Sequence, residues 1–204
     1  MKSNEYILED LAEARAALVG NDTKTALFLI DGLMKSVRES IAAAQDRANG
    51  NAERRAAAKR ILKRSSGRAE WLQHSIRNGG QQILCDGYMA VRTIDPIDLC
   101  EEPGLDDEYH FRSMQNIIKG AYDKSLGSVQ GIRATVAELK CAKAEKKETS
   151  GRYVVYRVGG TAIDINLAID TCTILGGACR FTEAGKRQVY VEGDLGDAII
   201  LALI

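Results

Sequence analysis

Residues Gly151–Ile204 read GRYVVYRVGGTAIDINLAIDTCTILGGACRFTEAGKRQVYVEGDLGDAIILALI. Arg152–Val158 is rich in β-branched and aromatic residues, which predicts a strand. Gly159-Gly160 is a turn, and Thr161–Ile165 a second short strand. Asn166 is placed to cap a helix running through Leu175, and Gly176-Gly177 ends it. Ala178–Thr182, Gln188–Glu192 and Ala198–Ile204 read as three further strands, with Gly185 and Gly193 in the turns. A strand, a helix and then a run of strands makes the class α+β.

Outward from that unit, Ile132–Lys147 reads as a helix ending in a charge run, and Tyr109–Lys124 as another with Phe111, Met114, Ile117, Ile118 and Ala121 on one face. Thr93–Glu108 holds both prolines and many acids and reads as a loop. Gln82–Arg92 (QILCDGYMAVR) reads as one strand with a bulge or kink at Asp86-Gly87. It returns from a strand at Ala69–Arg77 through the Asn78-Gly79-Gly80 turn. Ala52–Ser65 is an amphipathic helix. Ala57, Ala58, Ile61 and Leu62 lie on one side, Arg55, Lys59, Arg60, Lys63 and Arg64 on the other, and Arg54 near the apolar arc. Residues 1–50 contain no proline and form two helices. Ile7, Leu8, Leu11, Ala14 and Leu18 mark the first; Leu27, Ile30, Met34, Val37 and Ile41 mark the second. Gly20 and Asn21-Asp22-Thr23 supply the stop and the cap between them. Each helix of this hairpin carries an apolar stripe that its mate, the rest of the protein or a second subunit must cover.

The run from Ile165 to Ile204 and the segment ILCDGYMAVR resemble parts of a DNA polymerase III beta subunit (sliding clamp) domain. The longer run has that family's order: an Asn-led short helix, a strand, a strand like "pvyie", then an apolar strand. The resemblance implies a single DNA-clamp-like domain, with helices on one face of an antiparallel sheet and a pseudo-twofold repeat of about 52–92 and 151–204. The domain division is then a hairpin at 1–50 and a clamp-like unit at 51–204, with the acidic loop and a helical insertion at about 94–147. It also implies a noncatalytic protein of DNA replication or a related DNA transaction. Such a protein contacts duplex DNA through Arg54, Arg55, Lys59, Arg60, Lys63, Arg64 and Arg68, forms a homo-oligomer and docks a replication partner. The alternative keeps the fold but self-associates through the N-terminal helices and does not bind DNA.

Charge sharpens that choice. Between Asn51 and Gly80 eight cations face two acids, a net +6, and arrayed Lys/Arg is what sequence-independent phosphate contact needs. From Asp86 to Glu108 eight acids face Arg92 alone, a net −7, which suits pairing with the basic helix or head-to-tail association. The counterpart helix, Leu167–Leu175, carries only Asp170.

Other chemistry is thinly represented. Five cysteines without a CxxC pair read as free, mostly buried thiols of a cytoplasmic protein. His74 and His110, far apart, and an acidic loop without calcium-loop spacing indicate no metal. Gly159-Gly160 and Gly176-Gly177 do not extend to phosphate loops, so no cofactor is expected. Asp86 lacks a supporting His, Ser or carboxylate and reads as part of a turn rather than a catalytic acid. Trp71 and Tyr153 read as core or sheet-face residues. No apolar run reaches the roughly 20 residues of a membrane span.

Overall fold

The computed structural model describes residues 4–99, 107–128, 131–146 and 148–203. The chain divides into two compact units. One takes in residues 1–52 with 98–100, the other residues 53–97 with 101–204.

The first unit is built on α1 (Asn4–Val19) and α2 (Thr23–Ala48). Asn21, with φ of 59°, takes the left-handed position between them. Asp22 then caps α2, accepting from the Thr25 amide (3.1 Å) and hydroxyl (2.6 Å). The buried positions are mostly small: Ala14 on α1, and Ala26, Leu33 and Ala42 on α2.

The second unit is α+β. It contains α3 (Ala52–Arg64), β1 (Ile76–Asn78), β2 (Gln81–Cys85), β3 (Met89–Thr93), α4 (Asp107–Ser125), β4 (Ile132–Thr135) and α5 (Val136–Glu145). After these come β5 (Thr149–Ser150), β6 (Tyr153–Val158), β7 (Thr161–Asp164), α6 (Ile165–Ile174), β8 (Ala178–Glu183), β9 (Gln188–Gly193) and β10 (Gly196–Leu201). A seven-stranded antiparallel sheet runs β1-β2-β3-β10-β9-β8-β4, and β5-β6-β7 form a second, three-stranded sheet. At the central β3–β10 pair two meanders meet, β1-β2-β3 on one side and β8-β9-β10 on the other. Gly79 and Gly80, both with positive φ, close the β1–β2 hairpin, as their sequence predicts.

Helices cover both faces of this sheet, which corrects the expectation of one. Ile199, Tyr190 and Ala90 share a face and pack with Ile118 and Ala121 of α4. Ala198 and Ile200 alternate with Ile199, so they face the other way, and both are fully buried. On that side α6 lies against β3, β8 and β10.

Local differences from the sequence reading have physical causes. Glu70–Gln73 is a 3-10 turn, and the strand is only Ile76–Asn78. Trp71 stacks on His110 of α4 at 4.7 Å, which takes this segment out of the sheet. Asp86-Gly87 reverses the chain into a β2–β3 hairpin instead of kinking one strand. Ile132–Thr135 is a strand paired to β8, not helix, because Thr135 and Glu138 form a reciprocal capping box that starts α5 at Val136. Asp164, not Asn166, caps α6, accepting from the Asn166 amide at 2.9 Å. Cys100 and the part of the acidic loop at 101–106 lie outside the described residues.

Candidate functional site

The basic helix α3 is far less basic at its surface than its sequence. Arg54 and Arg55 are buried, 8% and 5% exposed, so neither is available to phosphate. The Arg54 guanidinium donates to Ile174 O (3.0 Å) at the end of α6, to Asp95 Oδ2 (2.5 Å) and to Asp95 O (2.8 Å). It acts as a strut between α3, α6 and the segment after β3.

Arg60 and Arg64 converge on the one acid of α6. Both Nε and Nη2 of Arg60 donate to Asp170 Oδ1, at 2.9 and 2.7 Å. Arg64 Nη1 donates to Asp170 Oδ2 at 2.7 Å, and its Nε to Asp86 Oδ2 at 2.7 Å. Asp170 and Asp86 are buried, so these contacts satisfy charges that would otherwise be costly. Apart from Asn166, every residue of α6 is buried, so it presents no face to a duplex. The expectation of DNA contact through seven residues therefore fails for Arg54 and Arg55. Lys59 and Lys63 stay exposed, Arg60 and Arg64 are engaged with acids, and Arg68 lies over the Tyr88 ring at 4.4 Å.

The clearest concavity in this unit is a cleft of about 1020 Å³ beside the Asp86 corner. Asp86 Oδ1 accepts from the amides of Tyr88 (2.9 Å) and Met89 (3.0 Å), which fixes the corner. Gly87, with φ of 83°, leaves space for Arg68: a Cβ there would stand 2.1 Å from its Nη1. The chain end beside the cleft is stitched down by backbone bonds from Leu201 to Tyr88 O, Ala202 to Arg187 O and Leu203 to Ala162 O. Arg68, Arg152 and Arg187 line the cleft, and among the described residues no carboxylate pairs with them. Leu167, Leu201 and Leu203 give it an apolar side. Such a cleft accepts an anionic group with an apolar part. Sequence reading reached its corner and Arg68, but not Arg152 or Arg187, because isolated turn arginines carry no pattern.

A second groove, about 660 Å³, runs between α3, α5 and α6, with Arg60, Lys140, Lys143 and Lys146 against Glu53 and Asp170. Among the described residues no group of three His, Cys, Asp or Glu is placed to hold a metal ion. Burial pushes the Cys85 thiol up, away from the reactive thiolate. Cys172 is held low by a hydrogen bond from Cys179, but both are buried under α6 and β8.

In the first unit the second stripe of the hairpin is uncovered. Leu27 is 54% exposed, Met34 47% and Ile41 54%, with Val37, Leu11 and Phe28 exposed beside them. A mostly apolar groove of about 350 Å³ runs along it, lined by Ile7, Leu11, Ile30, Leu33, Met34, Val37 and Arg38.

Compared with protein-family models, curated proteins and solved structures, the chain matches none of them.

No described helix is long and apolar enough to cross a membrane.

Proposed function

We propose that this is a noncatalytic assembly protein, which self-associates through the α1–α2 hairpin and presents its α+β unit for docking. The observation that carries this reading is the uncovered stripe of α2. Large apolar side chains in a row, flanked by charge, mark an interaction surface rather than an ordinary surface, where such residues are scattered. Among the described residues nothing comparable supports chemistry: the cleft at Asp86 combines Arg68, Arg152 and Arg187 with an apolar wall, the equipment of a docking site. The test is the mass of the full chain in solution. The wild type is expected to sediment as a dimer or larger. The double variant M34K/I41K is expected to be monomeric with unchanged helical circular dichroism. A wild-type monomer at tens of micromolar overturns the reading.

A second reading keeps the sliding-clamp resemblance, with duplex DNA as the docked partner and a replication protein as a further one. The strand order, with two three-strand meanders meeting at β3–β10, favours it. So do the exposed lysines: Lys140, Lys143 and Lys146 line the α3–α5 groove, and Lys59 and Lys63 stand exposed on α3. Against it stands the internal pairing of Arg60 and Arg64.

A further inference from the structure

The uncovered stripe of α2 has a register. Leu27, Ile30, Met34, Val37, Ile41 and Ala44 recur at alternating steps of three and four residues, the spacing of a coiled-coil seam. Two sequence positions flank such a seam in each heptad. On one flank stand Ala26 and Leu33, both buried, followed by half-buried Ser40 and exposed Arg47. On the other stand Asp31 and Arg38, which are exposed and, among the described residues, form no ion pair.

We infer that the seam is closed by the same helix of a second copy, running antiparallel, with Asp31 of each copy against Arg38 of the other. This rests on the self-association reading and names its geometry. An antiparallel pair stacks the two kinds of seam position against each other. The layers are then Leu27 with Ala44 of the second copy, Ile30 with Ile41, and Met34 with Val37, each occurring twice about the two-fold axis. Large residues meet large ones at the centre and Ala44 lets the ends taper. The same register sets like flanks face to face, and that brings opposite charges together at Asp31 and Arg38. A parallel pair would instead set Asp31 and Arg38 beside Ala26 and Leu33 of the mate, which neutralises nothing and meets the flank already buried. The groove bounded by Ile7 and Leu11 of α1 lies on the open side of the seam, so each hairpin also offers the mate's α2 a hole. The product is a four-helix bundle of two hairpins, a closed assembly in which both copies use one self-complementary patch.

The test uses charge reversal in the full chain, followed by sedimentation equilibrium. D31R sets a second guanidinium against Arg38 of the mate, and R38D places two aspartates together. Each variant alone is expected to dimerise about tenfold more weakly than wild type, since two pairs become repulsive. Mixed in equal amounts, the two variants are expected to form a heterodimer at least as tight as wild type, because every pair is then attractive. Raising the salt to about 1 M should narrow all these differences. Helical circular dichroism of each variant alone checks that the hairpin is intact. If the single variants dimerise like wild type, or the mixture gains nothing over them, the antiparallel register is wrong. A monomeric wild type instead removes the self-association reading itself.

Discussion

Asp170 holds two arginines from a position with almost no access to water. Its side chain is 4% exposed, while that of Arg64 is 31% and that of Arg60 52% exposed. Replacing it by asparagine keeps its shape and removes the charge that both guanidiniums use. Arg60 returns to solvent at little cost, but Arg64 stays half-buried beside Asp86 alone. The expected loss for D170N is about 2–3 kcal/mol in chemical denaturation, the scale of hydrogen bonds to charged groups. R60Q is expected to cost under about 1 kcal/mol, as an exposed partner does. Equal losses would mean that Asp170 acts through Arg60 alone, against the burial. This residue also marks the limit of sequence reading. The excess of cations at 54–64 is plain, and the acid-rich stretch from Asp86 suits pairing with it, as Arg64 with Asp86 and Arg54 with Asp95 do; nothing in a single sequence says that Asp170, far along the chain, will fold onto it. Charge counts report composition; pairing is decided by tertiary contact.

At the scale of elements, α5 carries a pH-dependent start. The Glu138 carboxylate accepts from the Thr135 amide (2.7 Å) and hydroxyl (2.9 Å), and those donors hold it below its usual range. A carboxyl with a lowered folded pKa stabilises above its unfolded value and loses that contribution as pH falls through the folded one. The first turn of α5 should therefore loosen on acidification below about pH 4.5, the unperturbed value. Amide exchange at Val136–Glu138 is expected to accelerate there, and E138Q to remove most of the pH dependence. Unchanged protection across that range would contradict the capping role. Elements were legible where a local signal is strong: the hairpin glycines Gly79-Gly80, the 165–174 helix, the strands after it, and the Asp22 cap. They were misread where two local signals compete. Ile132–Thr135 continues a helical run in composition, yet its Thr-x-x-Glu cap starts the helix later. Ala69–Gln73 has strand-like residues, yet Trp71 is claimed by His110 across the unit.

For the whole molecule, the choice between an assembly protein and a clamp-like DNA binder turns on salt. Phosphate contact releases counterions, so affinity for a duplex falls steeply with ionic strength. Arg54 and Arg55 are buried and Arg60 and Arg64 bind acids, while Lys59, Lys63, Lys140 and Lys143 are exposed, Lys140 lying 3.9 Å from Glu53. Duplex binding at about 50 mM salt, lost by about 200 mM and abolished by K59E/K63E/K140E, is expected if the second reading holds. No binding at about 50 mM leaves the assembly reading alone. The class α+β was readable from the order of elements, whereas the covering of both sheet faces was not, because α4 sits in a stretch without a counterpart in the repeat.

The β3–β10 pair at the middle of the sheet joins residues 89–93 to residues 196–200. The sheet is thus completed at its centre by the tenth strand in chain order. Until β10 arrives, β3 carries a bare edge of unpaired backbone beside buried Val91 and Met89, and β9 carries another. Two half-sheets with sticky inner edges are the kind of intermediate that pairs with the wrong molecule. The protein's vulnerable moment is therefore during its own making, and a chain stopped short of β10 would be a seed for aggregation rather than a smaller folded domain.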